Sequence, residues 1–301
     1  MSSTAQRAAS GSPRRGRFAA FVLATVATCL TAGCATAGAA QAPTTAATAP
    51  TSTAATSDPI GLIGMWRVSD AAGEGPDTWL RLDAPEFSLW RDCGMIGGGW
   101  LAGERTFLAQ TMSASDDCAN GGFPTIAWLD ETTSYRAADD GWQLLDAEGE
   151  PVASLAIDGA PDPIDTVADF FAEPPVIDDA VRAFFADAAP LPDTLAAAGA
   201  DDLLGRWEPA GASYASDPHV VFLAAGEWTG SDGCNGQSGR WAVDGDGELL
   251  VISGASTLIG CDGAPAPGWV AGARRAAFDD EELVLLDREG AELGRLVRAG
   301  G

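Results

Sequence analysis

The sequence predicts a mainly β protein: two small antiparallel β-sheet or barrel domains with short helices, joined by a Pro-rich, partly helical connector. Three observations carry this. Leu62-Ile63-Gly64-Met65-Trp66 is echoed 141 residues later by Leu203-Leu204-Gly205-Arg206-Trp207. From each of these tryptophans it is 27 residues to a cysteine, Cys93 or Cys234, and seven more to a second tryptophan, Trp100 or Trp241. Anchors kept in register over about 80 residues mark a tandem duplication. Within each copy, short apolar runs alternate with Gly- and Asp-rich turns, the pattern of hairpins.

Taken in order, residues 1–33 form a lipoprotein signal. Arg14, Arg15 and Arg17 precede an apolar run from Phe18 to Ala32 that ends in Leu30-Thr31-Ala32-Gly33-Cys34. The run falls short of the roughly 20 residues a permanent membrane helix needs, and its basic flank and small residues suit cleavage. Cys34 is the expected lipidation site, and acyl chains at about 0.8 kcal/mol per buried methylene would hold the mature chain on the membrane. An ordinary secretory signal with a chance cysteine is the alternative. Arg14-Arg15 admits twin-arginine export, although the downstream residues favour general secretion. Residues 34–58, nearly all Ala, Thr, Ser, Pro and Gly, cannot bury enough apolar surface to offset their ordering entropy and read as a disordered tether.

The whole chain carries 17 Lys plus Arg, every one an arginine, against 43 Asp plus Glu, a net charge of −26. Four arginines fall within the signal, so the mature chain stands near −30. That charge excludes nucleic acid as a partner and confines membrane contact to the lipid anchor. The absence of lysine and the wealth of Ala, Gly, Asp and Arg match a high-GC genome, such as an actinobacterial one, so the acidity has a proteome-wide explanation as well as a functional one.

The first domain is expected at 59–158, with strands at Thr78 to Leu82, Glu86 to Trp90, Gly98 to Leu101, Thr106 to Gln110, Trp142 to Asp146 and Pro151 to Ala156. The connector, 159–200, holds six prolines and a helix-like stretch from Ile177 to Asp187 that Asp178-Asp179 can cap. Val181, Phe184 and Phe185 give it an apolar stripe, as Ile164, Val167, Phe170 and Phe171 do for the preceding segment. These stripes either pack on the flanking domains or dock in a groove of a partner. The second domain, 201–299, reads as strands at His219 to Leu223, Glu227 to Gly230, Gly239 to Val243 and Leu249 to Ser253. A short helix begun near Pro267 carries Arg274 to Phe278, and closing strands follow at Glu282 to Leu286 and Gly294 to Val297. Trp66, Trp100, Trp207 and Trp241 are the expected interior of the two domains, since large aromatics dominate so small a core.

Four of the six cysteines lie in the duplicated region, two per copy. Export, an even number and one pair per copy favour disulfides Cys93 to Cys118 and Cys234 to Cys261 over cross-domain pairing. Each would close a loop of about 25 residues, worth roughly 3 to 4 kcal/mol in the chain-entropy model.

In the second copy, Leu204-Gly205-Arg206-Trp207, then Gly233-Cys234-Asn235-Gly236 with Gly239, then Ser256-Thr257-Leu258-Ile259-Gly260-Cys261 and the closing Leu283-Val284-Leu285-Leu286-Asp287 resemble the META/HslJ-like domain over residues 201–299. The first copy matches more loosely: Gly94 stands where the asparagine would, and the threonine element has become Thr111 to Cys118. The resemblance implies a compact β-rich fold, an exported or lipid-anchored bacterial protein, a loose link to envelope stress or resistance, and no established enzymatic activity.

The residues offer no catalytic constellation. His219 is the single histidine, beside Pro218, and nothing pairs it with a nucleophile. Gly230-Ser231-Asp232-Gly233 lacks the spacing of a nucleophile elbow. Asp139-Asp140 and Asp279-Asp280 are expected on solvated turns. Asp244-Gly245-Asp246-Gly247-Glu248 lacks the spacing of an EF-hand and reads as a tight turn. The expectation is therefore a monomeric, membrane-anchored extracytoplasmic lipoprotein with no cofactor and no metal, acting without catalysis by binding an envelope protein or a small ligand or in envelope stress and maintenance. Two alternatives stand beside it. One is an inhibitor or chaperone of secreted enzymes, inserting a loop such as Gly94 to Gly99 into a cationic cleft. The other is a hydrolase of cell-wall or antibiotic substrates, which requires a pocket with converging polar groups.

Overall fold

Each apolar run in the two copies supplies one buried face, and each Gly or Asp pair between runs reverses the chain, so antiparallel neighbours form in sequence order. The computed structural model describes residues 58–300 apart from 121, 123, 163–166, 212, 213, 215 and 261. Cys34, the signal and all of the tether but Asp58 lie outside the described residues; Asp58 caps the first turn by accepting a hydrogen bond from Ile60 N at 3.0 Å.

The first copy contributes β1 (Gly64–Ser69), β2 (Trp79–Leu82), β3 (Glu86–Arg91), β4 (Gly94–Ala102), β5 (Phe107–Ala114), β6 (Ser134–Ala138), β7 (Gly141–Leu145) and β8 (Pro151–Ala156). Helix α1 (Ala127–Glu131) lies between β5 and β6, and α2 (Asp179–Phe184) in the connector. A two-residue strand, β9 (Ala196–Ala197), and α3 (Ala200–Leu203) lead into the second copy. That copy contains β10 (Gly205–Pro209), β11 (His219–Phe222), β12 (Glu227–Ser231), β13 (Gly236–Val243), β14 (Leu249–Ser253), α4 (Ala266–Gly272), β15 (Arg275–Asp279), β16 (Glu282–Leu286) and β17 (Glu292–Arg298).

The eight-stranded sheet runs β5-β4-β3-β2-β1-β8-β7-β6, and the nine-stranded sheet repeats that order as β14-β13-β12-β11-β10-β17-β16-β15, with β9 added outside β15. Strand starts keep the sequence offset: Gly64 and Gly205, Ser134 and Arg275, Gly141 and Glu282 are each 141 residues apart. So do individual bonds. Trp66 Nε1 donates to Leu62 O at 2.8 Å and Trp207 Nε1 to Leu203 O at 2.7 Å, while Trp100 N and Trp241 N donate to Pro85 O and Gly226 O at 3.0 and 2.8 Å. Among the described residues neither sheet closes into a barrel. The ends approach only locally, where Phe107 N donates to Thr133 O (2.8 Å) and, in the second sheet, Leu249 N to Arg274 O (2.9 Å).

Three local readings need correction. Residues 275–279, expected on a helix, are strand β15, paired with β16 on one side and β9 on the other, and the helix α4 ends before them. Its counterpart β6 was not expected at all. Gly94 to Gly99 is no insertable loop; it forms most of the inner strand β4, held between β3 and β5.

Each copy has its own core. Trp66, Trp100, Trp128, Phe87 and Phe107 fill the first, and Trp207, Trp228, Trp241 and Phe222 the second, with Trp100 fully buried and Trp241 nearly so. The connector stripes pack on the first copy. Val181 joins the first core, Phe185 lies 5.3 Å from Trp100 between ring centroids, and Val167 and Phe171 cover Met65, Trp79 and Trp90. Ile164 lies outside the described residues, and Phe170 is exposed. Asp178 caps α2 through Val181 N at 2.9 Å. Cys93 and Cys118 form a disulfide with Cα atoms 4.9 Å apart. Cys234 is also disulfide-bonded; Cys261, its expected partner, lies outside the described residues. No helix among the described residues is long and apolar enough to cross a membrane.

Candidate functional site: a cleft between the two sheets

A strand with one face on a core shows alternating hydrophobicity, whereas a continuous apolar run marks burial on both faces. Leu249-Leu250-Val251-Ile252 on β14 is such a run. Leu249 and Val251 point into the second core, and Leu250 and Ile252 point out of it onto Leu101 and Leu108 of the first sheet, with Phe184 of α2 packed against the same cluster. The β4–β5 hairpin therefore rests on the β13–β14 hairpin. Polar bonds fix the contact. Arg240 donates to Ala109 O (2.9 Å) and Asp130 O (2.8 Å), and Arg105 grips Asp244 through both Nε (3.1 Å) and Nη2 (2.8 Å).

Beside this contact the surfaces part and leave a cleft of about 470 Å³, a volume suited to a small ligand. Gly97, Gly98 and Gly99 form one wall, with Met95 and Met112 next to them; Val251, Ile252 and Ser253 form the other; Phe171 and Phe184 of the connector complete it. The glycines are required by close approach. A Cβ at Gly98 would sit 2.0 Å from Gln110 O and 2.6 Å from the Phe87 ring, and the β4–β5 register shifts between Gly97 and Gly98. At Gly99 a Cβ would meet Ile252 Cγ2 at 3.2 Å and Met112 Cε at 3.3 Å, so glycine there keeps the cleft open.

The polar groups on this wall are few. Ser253 Oγ is buried with no hydrogen-bond partner among the described residues, and Ser88 and Ser113 also face the space. Arg274, half-buried just before β15, donates through Nη1 to the carbonyl of its own neighbour Ala273 at 2.9 Å. Burial pulls its pKa below the ordinary arginine value; the nearby Arg288 acts in the same direction and Glu248 opposes. Glu86, at the start of β3, is the one carboxylate on the wall among the described residues and is exposed.

Of the residues singled out in the sequence, Gly97 to Gly99, Trp100, Phe171 and Phe184 line the cleft, while the polar candidates lie elsewhere. His219 Nδ1 meets Asp217 O at 2.8 Å, Ser231 Oγ accepts from Gly233 N at 3.0 Å, and Asp279 pairs with Arg295 at 2.7 Å. Asp139-Asp140 forms the turn between β6 and β7. The Asp244 to Glu248 segment is the β13–β14 turn, with Asp244 engaged by Arg105 and Asp246 by Arg275.

The asparagine of Gly233-Cys234-Asn235-Gly236 is a clamp. Its Oδ1 accepts from Thr257 Oγ1 (2.8 Å) and Ile259 N (2.6 Å), while its Nδ2 donates to Ile259 O (2.7 Å) and Asp232 Oδ2 (2.8 Å). The bond from Asn235 Nδ2, with the Asn235 and Cys234 backbone N–H groups, holds the Asp232 carboxyl below the usual carboxylate range. The first copy has Gly94 at that position and Arg91 where the second has Asp232. There Arg91 binds the Glu74 carboxylate, which also accepts from Trp128 Nε1 (2.5 Å) and Thr78 Oγ1 (3.2 Å). Residue spacing does not show the Asn235–Thr257, Asn235–Ile259 or Glu74–Trp128 partners, which lie 22, 24 and 54 residues apart. No protein-family model matches this chain, and no curated protein or solved structure matches it either.

Proposed function

We propose that this chain is a membrane-anchored extracytoplasmic lipoprotein whose two META/HslJ-like domains, 59–158 and 201–299, bind a small apolar ligand in the cleft between them and perform no chemistry on it. The cleft carries this reading: both copies and the connector contribute walls to one apolar space of about 470 Å³. The Cys93–Cys118 disulfide fits an oxidising compartment. Three serines but no histidine face the cleft, which argues for binding over hydrolysis. Asn235 and Thr257, two of the residues that carry the family resemblance, meet in a single hydrogen-bonded cluster, as motif residues with a shared structural task would.

The test is fluorescence titration of the full-length chain with N-phenyl-1-naphthylamine, a neutral apolar probe that brightens on leaving water. Saturable binding is expected, and Gly99→Leu, which pushes a side chain between Met112 and Ile252, should abolish it. Absence of binding to the unaltered chain overturns the reading. The anchor is tested separately: Cys34→Ser should move the protein from the membrane fraction to the medium.

One observation favours the partner-protein alternative, an inhibitor or chaperone of secreted enzymes. On the loop clamped by Asn235, Leu258 is 96% exposed and Ile259 62% exposed, an apolar tip held in place without cover. Crosslinking from position 258 to an enzyme in envelope extract, lost in Asn235→Ala, would support that role.

A further inference from the structure

In a chain with 43 acidic residues, an arginine can readily find a carboxylate. Arg67, Arg81, Arg91, Arg105, Arg240 and Arg275 each do so in the described structure. Arg274, like Arg288 and Arg298, bonds backbone carbonyl and no carboxylate within ion-pair distance among the described residues, but Arg274 is the one of the three on the cleft wall, where burial strips it of part of its water and the Glu248 charge only partly offsets this. A half-buried cation without an ion-paired partner is unfavourable, and it is kept here on the wall of an apolar cleft. Guanidinium also has the planar donor fork that suits carboxylate, sulfonate and phosphate groups.

We infer that the cleft takes an amphipathic anion, its hydrocarbon body lying along Gly97 to Gly99 against Met112 and Phe184 and its anionic head on the guanidinium of Arg274. The inference rests on the reading of the cleft as a ligand seat and adds the chemistry of the ligand. The body would gain roughly 25 cal/mol for each Å² of apolar surface removed from water. The head would supply the charge that Arg274 lacks, in a setting where water screens the pair poorly. The net charge of −26 opposes an approaching anion, but that field is screened beyond about 10 Å in ordinary salt, so contacts within the cleft decide affinity. Glu86, being exposed, is screened in the same way.

The experiment is isothermal titration calorimetry of the full-length chain with three ligands sharing one twelve-carbon tail: laurate, dodecanol and dodecyltrimethylammonium, each kept as free monomer. Laurate should bind at least tenfold more tightly than dodecanol, and the cation most weakly. Arg274→Gln should remove the preference for laurate while leaving dodecanol affinity unchanged, and Arg274→Lys should restore part of it, with thermal melting showing that both variants fold. Equal binding of the three ligands, or a preference that survives Arg274→Gln, overturns the inference and leaves an apolar site standing. Failure of all three also overturns it. The neutral naphthylamine probe then decides whether the cleft binds anything, so the two failures are distinguishable. A phosphate-headed and a sulfonate-headed dodecyl ligand, run alongside, identify which head group Arg274 prefers.

Discussion

Arg240 of the second sheet donates to the carbonyl of Ala109 in the first at 2.9 Å, a bond spanning 131 residues of sequence. Its other terminal nitrogen donates to Asp130 O at 2.8 Å, so one guanidinium satisfies two backbone acceptors across the contact. Arg240→Ala leaves both acceptors without that donor and should destabilise the chain by about 2 to 3 kcal/mol. Urea denaturation measures this as a lower midpoint, and an unchanged midpoint would show that the bonds add nothing to water's own.

The Cys93–Cys118 bridge closes 25 residues of chain. Replacing both cysteines by serine should cost about 3 kcal/mol through the greater freedom of the unfolded state. Mass spectrometry of an unreduced digest should contain the corresponding linked peptide pair. A pair joining Cys93 to any other cysteine would contradict the structure.

Glu74 is the hub of a buried network, its side chain 2% exposed and bonded by Arg91, Trp128 and Thr78. Glu74→Ala strands the Arg91 charge and the Trp128 N–H together, a loss of about 3 kcal/mol or more. The same change at Glu86, an exposed carboxylate, should cost almost nothing. Comparable melting temperatures for the two variants would rule out the hub role.

Glu248 behaves in the opposite sense. Burial, and after it the charge of Asp246, raise its pKa above the ordinary glutamate value, with Arg275 only partly opposing. Its folded form therefore holds a proton more tightly than its unfolded form. The stability it contributes is complete below the unfolded pKa, about 4.3, and is lost as pH climbs through the raised folded value. Glu248→Gln should accordingly raise the melting temperature at pH 7 and leave it nearly unchanged at pH 4. An equal gain at both pH values would refute the assignment.

Much of the fold was legible because it was written twice. The 141-residue offset, the turn chemistry and the tryptophan anchors report local geometry, and local geometry is what sequence patterns encode. Arg274 to Phe278 misled because Arg-Arg-Ala-Ala-Phe favours a helix by intrinsic propensity, whereas pairing of β15 with β16 and β9 overrides it. Gly94 to Gly99 looked like a loop because glycine weakens strands. Here glycine is needed because the Phe87 ring and Gln110 O come too close for a side chain at Gly98. The cleft was invisible, since Met112, Phe184, Ile252 and Arg274 come from four separate segments. The apolar run Leu249 to Ile252 was the one available clue that this strand is covered on both faces.

The duplicated sheets differ at one margin. β9 lies along the outer side of β15, pairing Ala196 with Phe278 and Ala197 with Ala277, while the matching strand β6 ends its sheet with no neighbour beyond it among the described strands. An uncovered strand edge is a template for adding foreign strands. Duplication thus left two equivalent margins and the connector sealed only one of them. Any misassembly by strand addition at these margins would begin at residues 134–138, and the second copy would be spared by two alanines.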